Sequence, residues 1–315
     1  MAKRIPILLS FNGISHQNRN LIFGQLTHTR ISDLSFRDYS RRKTFKTLFR
    51  LYRTRPYRNQ QLTLVFDAGE VKATTNAHGA FYEKPVGDFS NAVLKKVLLS
   101  SGEDVKLVDG LYDTIIRNVS SDTVVVSDID DTLLHSFIYR KLKKLRTMMF
   151  TAVENRKAVD HMQQVMKHFS LQGASPIYLS NSEQNLYPMI YRFLIHNKFP
   201  TGPLFLKQLR SLWDLMLNVK FPVKNTHKIS TLEDLMMLLP DKKFVLMGDN
   251  TQHDLQIYLS LVDKFGDRIS SIVIRKVIES KHDNALIEKS SDTLKQHHIQ
   301  LYYTDSLPTP FQIIS

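Results

Sequence analysis

The chain has 315 residues, 42% hydrophobic and 23% charged, a globular mixture sufficient for one large domain or two ordinary ones. Its 43 Lys and Arg against 30 Asp and Glu leave a formal charge of +13, which favours an anionic partner: nucleic acid, acidic lipid or a phosphorylated substrate. Cysteine is absent, which excludes disulfide scaffolds, thiolate zinc sites and cysteine nucleophiles, and no apolar run reaches the roughly 18 residues of a membrane helix.

Taken in chain order, Met1-Ala2-Lys3-Arg4 followed by Ile5-Pro6-Ile7-Leu8-Leu9 superficially imitates a secretion signal. The apolar run is short, contains Pro6 and leads into Asn12-Gly13 rather than a small-residue cleavage site. It reads as a first strand, and the expected location is cytoplasmic, at most peripheral to a membrane. Short apolar runs at 20–26, 61–66, 71–75, 80–83 and 106–108 read as strands through alternation or β-branching. Asp67-Ala68-Gly69 and Asn76-Ala77-His78-Gly79 supply residues that tolerate positive φ between them. This spacing predicts a small β-sandwich over residues 1–119.

One helix interrupts it. Within 41–53, Phe45, Leu48, Phe49 and Tyr52 fall at helical spacing, opposed by Arg41, Arg42, Lys43, Lys46 and Arg50. Such a helix either packs its apolar face on its own domain or lies in an anionic membrane interface.

Near residue 120 the pattern changes. Residues 1–120 carry a net +9 and residues 121–315 a net +4. The second part reads as strand, helix, strand. Buried-type strands are expected around 124–126, 177–179, 244–247 and 272–274, with 301–303 at an edge. Helices are expected at 156–169, 182–196, 231–239, 255–265 and 285–296. Alternation of this kind predicts an α/β fold, a parallel sheet with helices on both faces, over residues 120–315.

Ligands of an open parallel sheet bind beyond the carboxyl ends of its strands. There the sequence places Ser127-Asp128-Ile129-Asp130-Asp131-Thr132, then Ser180-Asn181-Ser182, then Gly248-Asp249-Asn250-Thr251-Gln252-His253-Asp254. Five carboxylates at one sheet edge repel one another unless a cation compensates them. Oxygen-only ligands select a hard metal, with magnesium the expected cofactor.

An Asp-x-Asp-x-Thr run after a first strand, a Ser after a second and Gly-Asp-x4-Asp after a later one resemble the haloacid dehalogenase superfamily. The strings Ser127–Thr132, Tyr178-Leu179-Ser180-Asn181-Ser182, Gly202-Pro203-Leu204 and Gly248-Asp249 look like one branch, the actin-patch phosphatidate phosphatase family, whose catalytic domain also occurs in bacterial proteins. The resemblance spans roughly residues 120–278. It implies a haloacid-dehalogenase-like fold and a magnesium-dependent phosphomonoesterase converting phosphatidate to diacylglycerol. By the same resemblance Asp128 is the nucleophile that forms an aspartyl-phosphate, and Asp130 the general acid and then base. Ser180 matches the hydroxyl that binds phosphoryl oxygens. Lys228, 21 residues before Asp249, matches the lysine that balances the charge, with Lys220 and Lys224 nearby. The metal falls to Asp128, the carbonyl of Asp130, Asp249 and Asp254, the last either through water or as an anchor.

Asn181 and Asn250 fit either donors to phosphate or turn residues, and Asn181 is carried forward as substrate-binding. Thr132 is expected to tie down the loop, and His253 to be exposed. Arg275 fits either the site or the solvent. Little length remains for a large lid, and Trp213 with its apolar neighbours in 199–223 reads as either a flap or a core helix. Arg140 and Lys141, in the basic run 140–146, follow the catalytic loop and are expected to attract anionic lipid or a phosphodiester backbone. Aromatics are not interleaved with these charges, which argues against nucleic acid. Two other readings stay open: the same chemistry on a soluble or nucleic-acid-terminal phosphate, and a non-catalytic scaffold.

Overall fold

The structure is a computed structural model, described here over residues 4–30, 50–51, 54–134, 158–207 and 226–305. Its first part is two sheets. Strands β1 (Ile5–His16), β2 (Arg19–Thr29), β3 (Arg55–Pro56), β6 (Ala80–Glu83) and β8 (Ile116–Asn118) form one; β4 (Gln61–Phe66), β5 (Gly69–Thr74) and β7 (Leu94–Leu99) form the other. All pairs are antiparallel except β1 with β8. Ile7, Leu9 and Phe11 share a buried cluster with Leu62, Leu64, Phe66 and Val97, so the two sheets face one another.

β1 runs well past Asn12-Gly13, to His16. Gly13 sits there because β8 lies against it: a Cβ at this position would stand 2.6 Å from the Ile116 side chain. The hairpin turns at Gln17 and Asn18, with φ of 48° and 61°, the left-handed pair whose twist matches the strands it joins. Strands β4 and β6 occupy the residues expected. The run at 106–108 makes only a bridge from Lys106 to Ile7, whereas β7 and β8 are strands that the sequence pattern did not mark. The basic helix at 41–53, the Arg140 and Lys141 cluster and Trp213 lie outside the described residues, apart from Arg50 and Leu51.

The second part is a six-stranded sheet built from β9 (Thr123–Ser127), β10 (Ser175–Glu183), β11 (Leu204–Lys207), β12 (Lys243–Asp249), β13 (Ile269–Arg275) and β14 (Gln300–Thr304). Every pairing is parallel, in the order β11-β10-β9-β12-β13-β14, with the 300–304 strand at an edge as expected. Helices α1 (Asp160–Leu171), α2 (Tyr187–His196), α3 (Thr226–Leu238), α4 (Asp254–Ser260), α5 (Val262–Phe265) and α6 (Lys281–Gln296) occupy the connections. Residues 204–207, part of the 199–223 stretch read as either a flap or a core helix, are instead the other edge strand. From β9 the chain builds outward through β10 to β11, then returns to lay β12 on the opposite side of β9. That reversal opens a crevice between the ends of β9 and β12, where an open α/β sheet binds its ligands.

Between β8, which ends at Asn118, and β9, which starts at Thr123, the apolar clusters are continuous. One joins Ile7 and Phe11 to Val125 and Met247; the other joins Ile14, Leu21 and Phe23 to Val126 and Leu246. Phe23 stacks on Phe205 at 4.2 Å, and the Asn12 amide bonds both backbone groups of Leu204. Because the two parts share this core, chemical denaturation should give one cooperative transition. Phe23→Ala and Phe205→Ala should each cost about 3–5 kcal/mol, with the double mutant below the sum. Urea titration followed by circular dichroism checks this; two separated transitions would contradict it.

Candidate active site

The site begins with a strand that has nowhere polar to end except the crevice. Val124, Val125 and Val126 are fully buried, and Asp128 follows Ser127 out of β9 with its N–H donating to Met247 O at 2.8 Å. The chain then curls tightly: Leu133 and Leu134 N–H both return to Ile129 O, and Asp131 takes the left-handed conformation at φ 58° that Asp tolerates. The curl brings Thr132 Oγ1 back to Asp128 Oδ2 at 3.2 Å and to Asp249 Oδ2 at 3.4 Å. Arg275, at the end of β13, donates to Asp131 O and so pins the loop. Gln252 Nε2 donates to Asp130 O at 3.2 Å.

Lys228, near the start of α3, has no exposed surface and bridges Asp128 Oδ1 at 2.8 Å and Asp254 Oδ1 at 2.5 Å. The second oxygen of Asp254 accepts the Asp249 N–H at 3.2 Å. Asp249 Oδ1 takes two further donors, the N–H and the hydroxyl of Thr251. Asp130 belongs to a separate set: Ser180 Oγ at 3.2 Å and Ser182 Oγ at 2.6 Å both donate to its Oδ2.

Asp128, Asp249 and Asp254 each offer a carboxylate oxygen within 4.8 Å of the others, all three buried, and the cation bonded to them among the described residues is the Lys228 ammonium. Fully ionised, the three carboxylates would exceed that cation by two charges. Burial pushes Asp128 well above the usual carboxylate range, helped by Asp254, Asp249 and Asp130 and opposed by Lys228. Burial and then Asp254 push Asp249 up to about 7, against the Thr251 donors. Lys228 is raised, because Asp128 and Asp254 outweigh the burial that opposes its charge. An all-oxygen, doubly anionic cage of this kind suits a hard divalent cation.

The structure therefore brings Asp128, Asp249, Asp254 and Lys228 into one cluster, with Asp130 and Ser180 joined beside it. Asn181 does not share the serine bonds to Asp130; it is half-buried, and its Oδ1 has no hydrogen-bond partner. Asn250 is held away from any phosphate role, since its amide clamps Val277, Ile278 and Tyr303. His253 is exposed, in the left-handed conformation. Ser182 and Gln252 are contacts that the motif reading passed over. The signal for Ser182 was strand alternation, because β10 continues to Glu183 and residues i and i+2 share a face.

Two outcomes follow. Lys228→Met should cost about 3–5 kcal/mol, because it leaves two buried carboxylates facing each other unpaired; denaturant titration measures it. The second concerns protons. Between about pH 4 and 7 folded Asp249 keeps a proton that the unfolded chain has lost, so its contribution to metal-free stability is full below about pH 4 and is lost as pH rises through 7. A cation that displaces this proton should bind more tightly across the same window. Melting temperatures with magnesium and with chelator, from pH 4 to 8, check both signs, and Asp249→Asn should remove the cation-dependent rise.

Residues 123–276, just under half of the chain, match the family described as Phosphatidate phosphatase APP1, catalytic domain. A protein of Saccharomyces cerevisiae named Phosphatidate phosphatase APP1 is 26% identical over 220 residues, covering 69% of this chain and 36% of that protein. An uncharacterized protein of Schizosaccharomyces pombe is 26% identical over 215 residues, covering 66% and 35%. The chain thus matches about a third of the length of these curated relatives. Among solved structures, a chain of the Pnkp1/Rnl/Hen1 complex overlaps 51% of this chain and 48% of its own at 17% identity and a TM-score of 0.37, too little to bear on function. The family match and the yeast relative agree in supporting a likeness to the APP1 phosphatidate phosphatase family, with residues 123–276 as the part that matches its catalytic domain.

Proposed function

We propose that this chain is a phosphomonoesterase of haloacid-dehalogenase type that acts on phosphatidate through an aspartyl-phosphate at Asp128. The carrying observation is the buried bridge of Lys228 between Asp128 and Asp254, beside Asp249 and with Asp130 held separately by two serines.

Each residue then has a task. Lys228 holds one Asp128 oxygen and Thr132 the other, so the carboxylate cannot rotate as it attacks phosphorus. Asp130 Oδ2 accepts from Ser180 and Ser182, which orients the carboxyl group that supplies the acid proton. Asp130 gives that proton to the departing alcohol oxygen as the P–O bond breaks and the Asp128 acyl phosphate forms. It then takes a proton from the water that attacks the same phosphorus, releasing phosphate and regenerating the Asp128 carboxylate. As phosphate arrives, the Ser180 hydroxyl can turn from Asp130 to a phosphoryl oxygen. Asp128, Asp249 and Asp254 would hold a magnesium ion, which when bound neutralises the carboxylates and the charge on the transferring group. Arg275 acts at a distance by fixing the loop.

No helix among the described residues is long and apolar enough to cross a membrane. Asp128→Asn keeps size and removes the nucleophilic charge. It should lower kcat on the order of 10⁴-fold or more. The assay is phosphate release from phosphatidate in mixed micelles, with magnesium and with chelator, beside a soluble aryl phosphate. Undiminished hydrolysis by Asp128→Asn rejects the nucleophile; release from the aryl ester alone keeps it and rejects the lipid.

A further inference from the structure

One cleft of the described residues, about 640 Å³, opens at the strand starts beside Thr123, Lys243 and Ile269, the opposite end of the sheet from the carboxylates. A second, about 490 Å³, lies where the N-terminal sheet meets the β11 edge. Phe23, Phe81 and Tyr82 come to it from the first part of the chain, Phe205 and Leu206 from β11, and His227 from α3.

Three observations tie this second cleft to the chemistry. Leu206 is the register partner of Ser180 across the β10–β11 pair, so the cleft begins one strand spacing from the hydroxyl that bonds Asp130. His227 immediately precedes Lys228 on α3. Gln184, two residues beyond Ser182, also lines it. One side of the wall is aromatic: Phe23 stacks on Phe205 at 4.2 Å and lies 6.1 Å from Tyr82.

The charge of the lining says what fits. Burial first, then Lys207 and Lys228, hold the His227 imidazole down to about 4, so it is neutral at physiological pH. Among the described lining residues the full charge is Asp234, bonded by Lys84 and Tyr82. A phosphate finds no unpaired cation among them, whereas an uncharged group finds ring faces beside hydrogen-bonding side chains that include Asn12, Asn76, Gln184 and Thr231. We infer that this cleft is the leaving-group subsite, receiving the uncharged alcohol end of the phosphomonoester, so that the N-terminal sheet helps to choose the substrate. Its volume suits the ester-linked glycerol end of a lipid with the first part of its chains, within the size range of small-ligand sites.

The inference rests on the phosphomonoesterase reading, and the test separates the two. Ala80 and Ser230 also line the cleft. Ala80→Phe or Ser230→Trp narrows it, and the ratio of kcat/KM for phosphatidate to kcat/KM for an aryl phosphate should fall at least tenfold. Ser230 is exposed on α3, so its variant decides the matter if Ala80→Phe does not fold. Separately, dioctanoylglycerol, which carries no phosphate, should shift the His227 ring resonances of the wild-type protein and not those of Ser230→Trp. If both esters are hydrolysed while the ratio stays within twofold and His227 does not shift, the subsite is wrong and the phosphatase reading stands. If His227 shifts but no ester is hydrolysed, the cleft binds an uncharged lipid and the phosphatase reading fails.

Discussion

The architecture of the site depends on one buried ammonium. Lys228 has no contact with water, and a lone lysine there would lose its proton. It is kept charged because Asp128 and Asp254 sit within hydrogen-bond distance on either side, arriving from the end of β9 and the start of α4. The three elements can meet only where the strand order reverses. The position of Lys228 at the start of α3 thus constrains the sheet as much as the sheet constrains it. Among the described residues the balance is incomplete, since the one cation bonded to the cluster faces three carboxylates. A divalent cation would offset that shortfall.

Asp130 shows the other side of the same economy. It is buried only two residues from Asp128, yet it is not drawn into the lysine bridge. Two serine hydroxyls from the end of β10 hold it apart. Neighbouring carboxylates in one site can take different roles only when their surroundings differ in this way. Asp128 is bound by Lys228 and Thr132, whereas Asp130 Oδ2 takes the hydroxyls of Ser180 and Ser182. The separation is enforced by backbone: the curl that places Asp131 at positive φ turns Thr132 toward Asp128.

Much of the second part was legible because a parallel sheet buried on both faces writes its strands as uninterrupted apolar runs. Val124–Val126 and Phe244–Met247 read as strands for that reason, and the polar residues after them as the site. Edge and doubly covered strands were harder. Only four residues mark β11, so Leu204 and Phe205 looked like part of a flap or a core helix. β1 is buried almost throughout, because a sheet covers one face and the α/β core the other, which hides the alternation that would have shown its full length. Ser182 was visible in the letters but not as a contact, since its role depends on β10 continuing past Ser180. The cleft beside His227 had no sequence signal at all. Its walls come from strands about 200 residues apart that only the fold brings together.

This last point bears on why the two parts of the chain stay together. A parallel sheet exposes unpaired backbone groups at its edges, and β11 is such an edge. It is not left open. The side-chain amide of Asn12 accepts from Leu204 N–H at 2.9 Å and donates to Leu204 O at 3.3 Å, standing in for a neighbouring strand. Tyr187, at the start of α2, donates to the same amide oxygen and reaches the carbonyl of Phe11 at 3.2 Å. Detaching the N-terminal sheet would therefore strip the hydrogen bonds from an edge strand one spacing away from Ser180, besides exposing the Phe23–Phe205 stack. The N-terminal sheet completes the edge beside the strand that carries Ser180 and Ser182, so its docking and the Asp130 contacts are coupled through β10 and β11.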